Sequence, residues 1–147
     1  MSISRMHVNK LIEGKLPVLL LTGDCMRRIY LDTCVWCRPF DDPSQRVREE
    51  AEAFFKILHG VDEKRLLILG SIVLDDEVDE ILDKRKRAAV IELTSRAIAE
   101  RITVVSESKQ NEIREATGVT DEDAFHLAAA LEGRAEYFLT VDDKTIY

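Results

Sequence analysis

Four short apolar runs, separated by helix-like stretches, constrain this chain more than any other feature of its sequence. They are "RIYLDTCV", "RLLILG", "RITVV" and "EYFLTV". Each is rich in strand formers and lacks the in-out alternation of a half-solvated strand. Strands that are apolar on both sides must be covered on both sides. The intervening segments supply the cover. "DDPSQRVREEAEAFFKILHG" reads as a helix with Asp42 as N-cap, Pro43 at the first helical position and Gly60 past its end. Residues 71–83 and about 86–100 read as two more helices. "SESKQNEIREATG" closes on Gly118, and "TDEDAFHLAAALEG" runs between Thr120 and Gly133. This alternation predicts an α/β chain, a three-layer α/β/α sandwich around a central parallel sheet of about four strands.

A length of 147 residues suits one domain, which is read as residues 26–147 with residues 1–25 as an N-terminal appendage. The appendage holds "LPVLLL" at 16–21 and the turn signal "TGD". No apolar run approaches the ~18–20 residues of a membrane span, so no membrane partner is expected. Three cysteines without secretory features point to a reducing, cytoplasmic setting. The net charge of −7 argues against a simple electrostatic nucleic-acid binder, which is usually basic. An enzyme that meets nucleic acid through bound cations is not excluded. One basic run, Lys84-Arg85-Lys86-Arg87, is a local exception, read either as a solvated helix end or as a phosphate-contacting patch.

Most of the 28 acids must be solvated surface, so the informative ones are those placed where a carboxylate is costly. On the helix from Ser71, at about 100° per residue, Leu74, Val73, Ile81, Val78 and Leu82 share one arc. Glu77 is the one acid on that arc. The helix after Thr120 is apolar nearly all round, and Asp123 lies between Leu127 and Ala130 on it. A capping box, T-x-x-D, competes for Asp123 and better explains Asp121 and Glu122. Asp32 comes late in the first strand, and Asp142 follows the fourth. Ligands of open parallel sheets bind beyond the carboxyl ends of the strands, where all four acids can converge.

Four ionised carboxylates in one pocket need a cation, and an all-oxygen set suits Mg²⁺ or Mn²⁺. Such ions activate water and stabilise both oxygens of a cleaved phosphodiester. His126 reads as a packing or orienting residue. The C-x-x-C of Cys34 and Cys37 has Trp36 and Pro39 in the wrong places for a redox motif, and it lacks a second ligand pair for zinc. A phosphatase-type D-x-D is absent, since Asp32 is followed by Thr33 and Cys34.

The blocks "IYLDTCVWCRPFDD", "SIVLDDEVDEI" and "GVTDEDAFHLAAALEGRAEYFLTVDD", in this order, resemble the PIN-domain family and its VapC-like branch. The resemblance spans roughly residues 27–147. It implies a Mg²⁺- or Mn²⁺-dependent ribonuclease with Asp32, Glu77, Asp123 and Asp142 as catalytic, metal-holding acids. Thr33, Arg38, Ser71 and Thr140 are then expected on the substrate side. It further implies an RNA substrate, a toxin restrained by an antitoxin protein, and a homodimer. The chain stops at Tyr147, where similar sequences continue through a last edge strand. An added N-terminal edge strand, assigned to "LPVLLL", is expected in its place. Cys37 stands where similar sequences often carry asparagine. The alternative reading is a PIN-like binding or regulatory module with impaired catalysis.

Overall fold

The computed structural model describes residues 7–10 and 26–142. Among them, five strands form one sheet: β1 (His7–Lys10), β2 (Arg27–Leu31), β3 (Leu66–Ser71), β4 (Ile98–Ile102) and β5 (Tyr137–Thr140). The order is β1-β5-β2-β3-β4, and every neighbouring pair is parallel. Six helices accompany them: α1 (Thr33–Cys37), α2 (Gln45–Asp62), α3 (Ile72–Asp79), α4 (Lys84–Ala97), α5 (Glu107–Thr117) and α6 (Asp121–Glu132). The expected α/β/α sandwich is therefore present.

The period of two along each strand divides the core into two layers. Ile29, Leu31, Ile68 and Leu139 pack on one side of the sheet with Trp36 of α1, Phe54 of α2, Leu74 of α3 and Val90 of α4. Tyr30, Leu69 and Phe138 pack on the other side with Ile113 of α5 and Leu127 of α6. From β2 the chain steps to β3 and β4, then returns to β5 on the other side of β2. The direction of winding thus reverses between β2 and β5, which opens a crevice at their carboxyl ends.

Several boundaries differ from the sequence reading, each for a local reason. The run "RIYLDTCV" is not all strand. It stops at Leu31, and Asp32 becomes the N-cap of α1, its side chain accepting from the Thr33 N–H. Helix α2 starts after Ser44 rather than Asp42, because the Ser44 hydroxyl accepts from the Val47 N–H. Gly60 lies inside α2 and does not end it. A Cβ there would come within 2.7 Å of Leu66 Cδ1, so glycine serves the close approach of α2 to β3. Lys64, at φ 60°, makes the left-handed turn instead. Helix α3 ends at Asp79, which leaves Leu82 94% exposed rather than on an apolar arc. Helix α4 likewise ends at Ala97, short of the expected 100, and strand β4 begins at Ile98, ahead of "RITVV". Ile98 packs against the bare backbone of Gly70, where a Cβ would sit 2.7 Å from Ile98 Cδ1.

An N-terminal edge strand is present as β1, paired with β5 from His7↔Tyr137 to Lys10↔Thr140, so the place beside β5 expected for "LPVLLL" is held by His7–Lys10 instead. The segment "LPVLLL", the "TGD" turn and Cys25 lie outside the described residues. Helices α5 and α6 end and begin where the sequence placed them, with Gly118 at φ 71° and Thr120 as N-cap.

Phe54 and Phe55 are neighbours in α2 with opposite environments. Phe54 is fully buried with its ring edge-on to Trp36, whereas Phe55 is 54% exposed. Phe54→Ala should cost ~3–5 kcal/mol in urea unfolding, because it leaves a core cavity. Phe55→Ala should cost about 0.5 kcal/mol, as surface truncations do.

Candidate functional site

Asp32 lies at the carboxyl end of β2 and is only 6% exposed. A buried carboxylate must find donors or lose its charge. Oδ1 accepts from the Thr33 N–H at 2.8 Å, and Oδ2 accepts from the Thr140 hydroxyl at 2.9 Å. The pairing of β2 with β5 supplies the second donor. Leu31 faces Leu139 in the ladder, and the Asp32 N–H continues it to the Leu139 carbonyl at 2.9 Å. The same Thr140 oxygen accepts the Asp142 N–H at 3.0 Å, so one hydroxyl fixes both strand-end acids.

Glu77 is brought in by α3. Ser71 ends β3 and caps α3, its hydroxyl accepting from the Leu74 N–H at 3.2 Å. Glu77 Oε1 then meets His126 Nε2 of α6 at 2.7 Å. On its other side, His126 Nδ1 is 2.6 Å from the Tyr30 hydroxyl, which is 2.7 Å from Ser71 Oγ. For a neutral imidazole the hydrogens in this chain follow from one fixed point. Glu77 as a carboxylate can only accept, so Nε2 carries a proton. With a neutral imidazole, Nδ1 accepts from the Tyr30 O–H, Tyr30 accepts from the Ser71 O–H, and Ser71 accepts from Leu74. All of these groups are satisfied without water, in a pocket where His126 is 1% exposed and Tyr30 and Ser71 are 0% exposed.

The same Nε2 is 3.8 Å from Asp32 Oδ1 and 3.5 Å from the Thr33 hydroxyl. One imidazole nitrogen thus stands between the strand-end acid and the α3 acid. Burial acts to raise the Glu77 carboxyl. The hydrogen bond and charge of His126, helped by Thr33, outweigh it and hold the group below its ordinary range. Burial acts to lower His126, but the hydrogen bond to Glu77 and the charges of Asp32, Glu77 and Asp123 carry it above its ordinary value. Burial keeps the Tyr30 phenol far above its usual value, so it remains a neutral donor.

Asp123 occupies the first turn of α6, and its N–H donates to the Thr120 hydroxyl at 3.2 Å. The Thr120 N-cap is therefore real, and Asp123 is half-buried. Burial raises its carboxyl above the ordinary range. The charge of Asp32 is the next cause and that of Asp142 adds to it, against a hydrogen bond from Thr120 and the His126 charge. Asp32, Asp123 and Asp142 thus lie close enough to feel one another. Glu77 joins them through His126. Among the described residues, no group of three or more His, Cys, Asp or Glu side chains is disposed to hold a metal ion.

The residues expected on the substrate side divide. Thr33 is half-buried at the rim, whereas Ser71 and Thr140 are fully buried and their hydroxyls bond within the protein. Arg38 donates to Glu50 at 2.5 Å and to Asp41 at 2.8 Å. Cys34 lies against the site, 3.5 Å from Thr140 Oγ1 and 3.6 Å from Asp32 Oδ2. Burial pushes its thiol up to about 12, which keeps it protonated and unreactive. Cys34 and Cys37 are both free thiols.

Sequence reasoning did not find Tyr30, nor the part Ser71 plays in orienting His126. A signal existed: a tyrosine inside a wholly buried strand and a histidine on a helix with no polar face each have a polar tip needing a partner. That each answers the other followed only from strand order. No protein-family model matches the chain, and neither a curated protein nor a solved structure matches it.

Thr140→Val removes the hydroxyl that bridges Asp32 and Asp142 at nearly constant volume. It should cost ~1–3 kcal/mol in chemical denaturation, the penalty of a buried acceptor left without its donor. Thr140→Ser should recover most of that loss.

Proposed function

We propose that this chain is a metal-dependent ribonuclease that hydrolyses RNA phosphodiesters through its acid cluster, and that its resemblance to VapC-like PIN domains reflects shared chemistry. The observation that supports the reading is that Asp123, raised first by its burial, is raised further by the charges of Asp32 and Asp142 near the carboxyl ends of β2 and β5. A carboxyl raised by other carboxylates marks a site short of positive charge. The donor set fits a hard divalent cation in kind, since it is all oxygen and the nearby thiol of Cys34 stays protonated. Mg²⁺ commonly takes one or two carboxylates, several waters and substrate phosphate oxygens, and it does not require a closed protein cage.

Asp32, Asp123 and Asp142 would hold such an ion, with Glu77 beside them. Bound there, Mg²⁺ or Mn²⁺ would supply neutralising charge and an activated water for attack on the phosphodiester. The chain's own contribution is preorganisation. Asp32 has donors on both oxygens before anything binds, so its rotamer is set in advance. Thr140 ties Asp142 to the same hydroxyl. Tyr30 and His126 hold Glu77 on the α3 side of the crevice. Thr33, half-buried at the rim and already near His126 and Glu77, is the most exposed of the expected hydroxyls and would meet an RNA phosphate or ribose.

The toxin role, the antitoxin partner and the homodimer rest on the resemblance alone, and the cytoplasmic location on three cysteines without secretory features. Among the described residues no helix is long and apolar enough to cross a membrane. A second reading, a binding or regulatory module without catalysis, is favoured by one observation: no three metal-binding side chains stand ready together among the described residues. A rise in melting temperature with Mn²⁺ and no RNA cleavage would select that second reading.

Cleavage of structured RNAs should require Mg²⁺ or Mn²⁺, stop on chelation with EDTA and return when the ion is restored. Asp32→Asn and Asp123→Asn should each lower the rate by more than the ~10–100-fold that losing an outer-shell partner costs. Cleavage that survives both substitutions would sink the assignment.

A further inference from the structure

We propose that His126 is a positioning residue of the acid cluster, with Tyr30 and Ser71 setting its ring so that Nε2 holds Glu77 beside Asp32. This rests on reading the cluster as a cation site. Glu77 and Asp32 come from different elements, α3 and the end of β2, and their like charges favour separation. The one group placed between them is the His126 imidazole, with Nε2 2.7 Å from Glu77 Oε1 and 3.8 Å from Asp32 Oδ1. The ring cannot easily turn away. Nδ1 is held at 2.6 Å by Tyr30, whose own ring is stacked on Phe138 with centroids 5.5 Å apart. Tyr30 in turn is held at 2.7 Å by Ser71, the residue that starts the helix carrying Glu77. The loop of contacts closes on itself: the start of α3 orients the histidine, and the histidine orients a side chain later in α3.

The role is that of an outer-shell partner, which fixes a ligand's orientation without touching metal or substrate. A buried histidine that only filled space in α6 would need an acceptor or donor on each nitrogen, but it would not need them to be a carboxylate of the cluster and a tyrosine anchored to that carboxylate's own helix. The hydrogen bonds therefore point to a directed arrangement. They also explain why Glu77 is partly buried on α3 beside Leu74 and Val78. Its partner lies in the helix across the crevice.

The two nitrogens can be tested separately. The amide of glutamine reaches the place of Nε2, and that of asparagine reaches the place of Nδ1. His126→Gln therefore keeps a donor for Glu77, while His126→Asn keeps only the Tyr30 side. The probe is Mn²⁺ alone, titrated into the full chain and followed by the electron paramagnetic resonance signal of the free ion. His126→Asn should weaken Mn²⁺ binding by ~10–100-fold, and His126→Gln should stay within a few-fold of wild type. In cleavage assays the Mn²⁺ concentration for half-maximal rate should shift in the same order, with KM for RNA unchanged. Equal Mn²⁺ binding by the two folded variants overturns the proposal. Tyr30→Phe removes one hydroxyl and keeps the stack on Phe138, so it covers the case in which both His126 variants unfold. It should weaken Mn²⁺ binding several-fold, and unchanged binding overturns the proposal. A wild type that binds Mn²⁺ but cuts no RNA removes the ribonuclease reading, while the ordering of the variants still supports the positioning role. A wild type that binds no Mn²⁺ overturns both.

Discussion

The burial of Asp32 is the constraint around which the rest of the site is arranged. A carboxylate that is 6% exposed costs several kcal/mol unless donors surround it. One donor, the Thr33 N–H, is present because the chain leaves β2 directly into a helix capped by Asp32 itself. The other, the Thr140 hydroxyl, is present because β5 lies beside β2 in a register that pairs Leu31 with Leu139. Thr140 then places Asp142, and the approach of α6 brings Asp123 and His126 to the same opening. A different strand order would leave Asp32 without the Thr140 donor.

A second buried carboxylate shows what a fully compensated acid looks like. The Glu50 side chain is 0% exposed, and Arg38 and Arg46 donate to its two oxygens at 2.5 and 2.7 Å. Arg38 also pairs with Asp41, which takes Lys86 at 2.5 Å, and Arg46 reaches the Val141 carbonyl at 3.0 Å. This network ties the loop after α1 to α2, α4 and the end of β5. Three cations serve its two carboxylates, so both acids are fully compensated and the network is a structural joint. Asp32, by contrast, has only neutral donors, from Thr33, Thr140 and Cys34, and an imidazole 3.8 Å away that already serves Glu77. The difference separates a carboxylate whose charge the fold itself neutralises from one held by neutral donors.

The elements legible in the sequence were those whose signals are local. Helices α5 and α6 began and ended as read, because Ser106, Gly118 and Thr120 act on backbone groups within three or four residues. The parallel sheet was legible because a continuous apolar run has no other economical burial. Boundaries failed where a distant residue decided them. Gly60 resembled a helix stop, yet the side chain of Leu66 sets its role. The start of β4 at Ile98 depends on space above Gly70 in the neighbouring strand. Strand β2 ends early because Asp32 prefers the cap, a choice that its neighbours in a strand-like run concealed.

Of the site, the sequence by itself determined which carboxylates were out of place. Asp123 on an apolar helix, Glu77 on an apolar arc and the acids closing β2 and β5 all violate the pattern around them, and a violation of a periodic pattern can be read without coordinates. Only the tertiary structure decided how those acids are held. Strand order brought Thr140 to Asp32, and the packing of α6 across the sheet set His126 between Glu77 and Tyr30. Hydrogen bonds between residues 49, 96 and 108 positions apart depend on which elements become neighbours in space, and no local periodicity encodes that.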